Sequence, residues 1–273
     1  MISNSPSKVL VLPATERKRQ RLFLVLCGVF LTNALIAEIV GGKIFSVEAL
    51  LGLAPLQIPI AGQKMDFNMT AGVVNWPIVF ITSDIINEYF GKKGVKRISY
   101  LTAVFIVYTF ITIYIATTLP PAQFWLDLNG TDSQGNFFNI NDAFAKIFNQ
   151  GLGIMAGSII AFLLGQLLDV YVFSWLRKKT GGRFIWLRAT GSTLFSQLFD
   201  SFVVIGIAFY VFGNWDLKLV FSVGSINYLY KGIIAILMTP LLYIAHHYID
   251  RYLGKEYAEE LMEDAVRSDE ASY

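Results

Sequence analysis

The sequence predicts an all-α, polytopic membrane protein with six transmembrane helices and both ends in the cytoplasm. Three observations carry this expectation. Charged residues make up only 15% of the 273 and hydrophobic residues 55%, whereas soluble domains carry about 25% charged residues. Mean hydropathy is +0.54. Apolar runs recur at the length a bilayer requires, about 20 residues for about 30 Å of hydrocarbon, and basic residues fall in alternate connections between them.

The six runs lie roughly at 22–45, 69–90, 98–119, 151–176, 191–212 and 226–249. Pro77 and Pro240 fall inside the second and sixth, where neighbouring helices can satisfy the carbonyl each proline frees. Lys and Arg number five up to Arg21, one in 46–68, four in 91–97 and one in 120–150. They number five in 177–188, one in 213–225 and three in 251–273. The rich connections are expected on the cytoplasmic side. The chain therefore divides into a basic tail (1–21), a six-helix transmembrane body (22–250) and an acidic cytoplasmic tail (251–273).

The first run outlasts the apolar core of a signal peptide, contains Asn33 and Glu38, and has no small-residue cleavage site, so it reads as a retained span. The partly apolar connection 46–68 reads as a segment that caps the bundle or dips into the outer interface, and Trp215–Val223 as another of that kind. Connection 120–150, with Asn129, Gly130 and Gly135, reads as an outer loop. Leu253, Tyr257 and Leu261 recur at helical spacing among acids, as in a short surface helix with a frayed end.

Several function classes are excluded. The single cysteine, Cys27, rules out an intrachain disulfide and a multi-cysteine metal site. No HExxH, Walker A or CxxC pattern occurs, so neither an enzyme nor a resident cofactor is expected. A net charge of +2 gives no reason to expect nucleic acid. The expected partners are a small polar solute and the lipid bilayer, with self-association an open alternative.

Polar groups inside the runs carry the functional reading, because ionisable side chains in a membrane are costly and mark sites or pathways. Asn33 lies in the first run, Asp84 in the second, Gln166 and Asp169 in the fourth, and Gln197 and Asp200 in the fifth. Counted from the nearest cytoplasmic basic residue at about 1.5 Å per residue, all six fall roughly 12–18 Å deep, in one layer. Gln166-Leu-Leu-Asp169 and Gln197-Leu-Phe-Asp200 repeat one pattern, and i, i+3 spacing puts each amide and acid on one helix face. In antiparallel helices Gln166 is then level with Asp200, and Asp169 with Gln197, so reciprocal amide–carboxylate bonds are feasible. Ser192, Thr193, Ser196 and Ser201 extend the stripe. Gly153, Gly157, Ala161 and Gly165 form a small-residue ridge for close helix approach. One Asn or Ser in a span is ordinary packing glue. Three acids at one depth are more than glue requires.

Other groups have plainer readings. Glu88 can pair with the inner basic connection, although it shares a face with Asp84. Glu38 and Lys231 sit at matching depth near the outer end, which allows an ion pair between the first and last spans, either a latch or part of the site. Trp76 reads as an interfacial anchor, and His246 and His247 as snorkelling or capping residues. The whole layer suits a planar, donor-rich solute: a carboxylate accepts two parallel donors of a guanine-like edge, and a Gln amide complements the adjacent carbonyl. A three-plus-three inverted repeat would make Asp84 the counterpart of Asp200.

Four stretches also resemble a known family. They are Leu31-Thr-Asn33 with Lys43-Ile-Phe45, Asp84-Ile-Ile-Asn-Glu88-Tyr-Phe-Gly91, Gly165-Gln-Leu-Leu-Asp169-Val-Tyr-Val-Phe173, and the run from Trp186 through Arg188, Gln197 and Asp200 to Phe202. In this order they resemble the YhhQ-like queuosine-precursor transporters, also called vitamin uptake transporters. The resemblance implies import of 7-deazaguanine bases, in cyano or aminomethyl form, for tRNA modification by a standalone carrier in a bacterial inner membrane. The alternative is a substrate-binding membrane subunit of a vitamin or nucleobase uptake system that needs a separate energising module.

Overall fold

The computed structural model describes residues 13–152, 155–180, 185–211 and 215–270. Four helices there are long and apolar enough to cross a membrane: α1 (Ala14–Val40), α3 (Trp76–Thr118), the Ile159–Thr180 part of α6 (Met155–Thr180), and α8 (Leu217–Leu253). The fifth expected run falls on α7 (Ile185–Ile205), which continues as a π-helical turn, Gly206–Val211. The second and third runs share α3. It is broken at Gly91, where φ is 68° and ψ −176°, a region open essentially to glycine alone. The expected loop 91–97 is instead helical beyond that one residue.

Other boundaries shift for local reasons. The first run was expected to reach Phe45, but α1 ends at Val40 before two glycines, and Ile44–Ser46 forms strand β1. The connection 46–68 folds into α2 (Val47–Leu50), β2 (Ile58–Ile60) and β3 (Gln63–Met65), followed by β4 (Asn68–Thr70). β1 pairs with β4 and β2 with β3, both antiparallel. Glu48, only 2% exposed, ties the segment together. Its carboxylate accepts from the Phe67 amide at 2.6 Å and the Ser46 hydroxyl at 2.9 Å. The Phe67 amide holds that carboxyl below its usual range. Connection 120–150 carries two helices, α4 (Gln123–Leu128) and α5 (Ile140–Leu152). The π turn, not the connection, follows α7, and α8 starts directly after Trp215 and Asp216.

α6 packs along α7 and α7 along α8, while α3 packs against α1, α6 and α9 (Lys255–Glu270). The outward faces are apolar: Leu24, Val104, Tyr108, Leu164 and Leu237 are exposed, as lipid-facing side chains are. Polar groups are inside: Thr82, Ser83, Asp84, Asn87 and Glu88 on α3, Gln166 and Asp169 on α6, and Ser192 to Gln197 on α7 include buried members throughout. This inverts a soluble protein's pattern. α9 corrects the expected frayed surface helix. It buries Ala258, Leu261 and Ala265 against the body. Asp269 accepts from the Lys92 amide at 3.0 Å and the Ser174 hydroxyl at 3.2 Å, next to the Gly91 break.

Candidate functional site

α6 and α7 set one face each toward a cavity of about 440 Å³, with Gln166, Asp169, Gln197 and Asp200 all in its lining. The i, i+3 spacing does this: acid and amide leave each helix on the same side. The crosswise levels hold, since a methyl added at Gly165 would lie 3.6 Å from Asp200 Oδ1, and Ser196 donates to Asp169 at 3.2 Å. The partners differ from the reciprocal amide–acid bonds the sequence allowed. Gln166 Oε1 accepts from Ser83 of α3 at 3.1 Å. The Ser192 and Thr193 hydroxyls are also directed at Asp169. Hydroxyls on the facing helix are shorter than amides and reach the carboxylate where the small residues of α6 let the helices close up. Of that ridge Ala161 is buried; Gly153 and the surroundings of Gly157 lie outside the described residues.

Asp200 is in an ion pair with Lys231 of α8, each side chain 17% exposed. α8 packs on α7, which brings Lys231 to Asp200, whereas depth alone suggested Glu38 beside it. Glu38 and Lys231 both line the same cavity. Two lining atoms, Gln197 Oε1 and Ser201 Oγ, are buried with no hydrogen-bond partner among the described residues. Buried polar atoms are normally satisfied.

Asp84 is buried and lines an adjacent, smaller cavity of about 40 Å³ with Thr190, Thr193, Tyr230 and Lys231. Asn33 is placed elsewhere. Its amide donates to Val29 O at 2.9 Å and its oxygen accepts from Asn75 at 3.0 Å, which fastens α1 to the start of α3, and it is not in the lining of either cavity. Glu88 lies 3.6 Å from Nη2 of Arg177, a basic residue of α6 and not of the 91–97 connection next to it in sequence. The Arg177 guanidinium also donates to Met262 O of α9 at 2.7 Å. His246 is buried, not snorkelling. Its Nδ1 lies 2.9 Å from the Tyr89 hydroxyl, which donates to Asp250 at 2.6 Å. His247 is exposed.

The aromatic lining was missed. Trp76, read as an interfacial anchor, lines both cavities with Phe80, and the two rings stack at 5.9 Å. Phe162 closes on Trp76 from α6 at 6.0 Å. The signal was there: Trp76, Phe80 and Asp84 follow one another at i, i+4, i+8 on one helix face. Connection 46–68 contributes Met65, Asp66 and Asn68 to the lining, and Trp215 joins from the start of α8. The larger cavity thus carries four carboxylates (Glu38, Asp66, Asp169, Asp200) against one ammonium, with ring faces beside them.

An apolar exterior around an acid- and amide-lined internal cavity defines a multi-pass membrane carrier. The chain belongs to the family described as "Putative vitamin uptake transporter", whose model matches residues 70–245. This is a transporter family, not an enzyme family. The chain is 28% identical over 194 residues to a "Probable queuosine precursor transporter" of Bacillus subtilis (strain 168), covering 70% of this chain and 78% of that one. It is 28% identical over 194 residues to the "Queuosine precursor transporter" of Escherichia coli (strain K12), covering 69% and 76%. A "Probable queuosine precursor transporter" of Haemophilus influenzae is 28% identical over 185 residues, covering 65% and 68%. No solved structure matches the chain.

Proposed function

We propose that this protein imports 7-deazaguanine precursors of queuosine across a bacterial inner membrane, with six spans, both ends cytoplasmic, and the substrate held among Gln166, Asp169, Gln197 and Asp200. The observation that carries the reading is the shared cavity of the two Gln-x-x-Asp faces, about 440 Å³. Ligand pockets for small molecules run about 300–1,000 Å³, so a bicyclic base fits. A carboxylate accepts N1–H and the exocyclic amine of a guanine-like edge together, and Gln197 Oε1 supplies a further acceptor. Trp76 and Phe80 cover a ring face. The 28% identical relatives carry the queuosine-precursor name, which supports the same substrate class. Asp84, Glu38 and Lys231 supply charge at or beside the site, while Asn33 and Glu88 hold helices together.

The test is restoration of queuosine in tRNA by external precursor, in cells that neither make the precursor nor have an importer. Queuosine is expected in cells expressing this chain; its absence despite protein in the membrane removes the proposal. Uptake by purified protein in liposomes separates a standalone carrier from a binding subunit that needs an energising module.

A further inference from the structure

Among the described residues, Lys231 is the only charged one in the lining of both cavities. On one side its ammonium is paired with Asp200. On the other lies the smaller cavity, lined by Asp84, Thr190, Thr193 and Tyr230. At about 40 Å³ that space is too small for a base and large enough for one water-sized group. A lysine ammonium on its flexible stem is such a group. The larger cavity is otherwise acidic, and Lys231 is the cation that faces Asp200 there.

A carrier must move its site between the two sides both loaded and empty. A bare carboxylate at membrane depth resists that movement, since an unpaired buried charge is strongly unfavourable. Either Lys231 or a substrate cation can neutralise Asp200, but the two compete for it. We propose that Lys231 is a tethered counter-cation: the ammonium of an aminomethyl base displaces it from Asp200, and Lys231 withdraws toward Asp84. The inference rests on the carrier reading and deepens it. Bases bearing a primary ammonium engage Asp200 by exchange, whereas a neutral base, such as the cyano form, binds with the Lys231–Asp200 pair intact.

The test uses the purified full chain in liposomes, with both forms of 7-deazaguanine, and the Lys231→Met variant. Without Lys231 the empty site carries a bare Asp200. The aminomethyl form should still exchange into liposomes preloaded with it, because the site then always crosses loaded with a cation. Its net uptake into empty liposomes should fall by more than about tenfold, as expected for loss of one partner of a buried charge pair. The cyano form should lose exchange and net uptake alike. Net uptake of both forms at the wild-type rate overturns the proposal, as does equal loss of exchange for both with an unchanged melting temperature. If Lys231→Met does not fold, Lys231→Arg decides. A guanidinium grips a carboxylate with two bonds, so the aminomethyl form should need a higher concentration and the cyano form should not. An equal change for both overturns it. Wild-type protein that moves neither form defeats the carrier reading itself, a result distinct from any of these.

Discussion

Asp169 and Asp200 hold similar positions on neighbouring helices and face different partners. Asp169 sits among α7 hydroxyls, and Asp200 faces an ammonium. Asp169→Asn keeps an acceptor for Ser196 and should lower precursor uptake more than about tenfold while leaving the melting temperature nearly unchanged. Asp200→Asn removes the acid that faces Lys231 and should also destabilise the protein, by less than the about 3–5 kcal/mol of a broken dry pair, because the ammonium can withdraw toward Asp84. Uptake and thermal unfolding in detergent, measured side by side, check both. Glu48 gives a pH signature. Its carboxyl is held below the ordinary value of 4.5, so its stabilisation of segment 46–68 is present above that value. It is lost as pH falls through the lowered one. Amide protection around Phe67 should drop in that acid window, and Glu48→Gln should abolish the pH dependence. At this scale the Gln-x-x-Asp pairs were legible because spacing alone fixes a helix face. Asn33 meets Asn75, which stands at the N-terminus of α3, a helix start that the apolar run 69–90 passes through without a signal.

Among the elements, α3 shows how one residue redirects a helix of 43 residues. A side chain at Gly91 would sit at positive φ and within 3.2 Å of Asp269 Oδ1. Gly91→Ala should therefore cost about 1–3 kcal/mol, seen as a lower melting temperature, and should loosen α9. If α9 stays protected from protease in that variant, the seam between Gly91 and Asp269 is not what holds it. The apolar runs revealed the long helices because a bilayer demands length and hydrophobicity. The same criterion could not reveal β1 to β4, whose strands are three residues each and too short for an alternating pattern. Nor could it reveal the docking of α9, because Ala258 and Ala265 are too small to stand out as an apolar stripe.

For the whole molecule, the basic connections make orientation testable. In a Cys27→Ser background, a membrane-impermeant thiol reagent on intact cells should label Ser133→Cys and spare Lys93→Cys; both positions are exposed. The reverse pattern would turn the protein over and reassign the cavity mouth. Asp269 and Lys92 are 177 positions apart, and their bond lies across the break in α3. At about 5–20 residues per second of synthesis, roughly 9–35 s pass between the making of the amide and of the acid that caps it. The early helices must therefore enter the membrane with that joint unsealed, and a ribosome stalled before α9 would leave a fully inserted but leaky-seamed protein, an obvious substrate for membrane quality-control proteases.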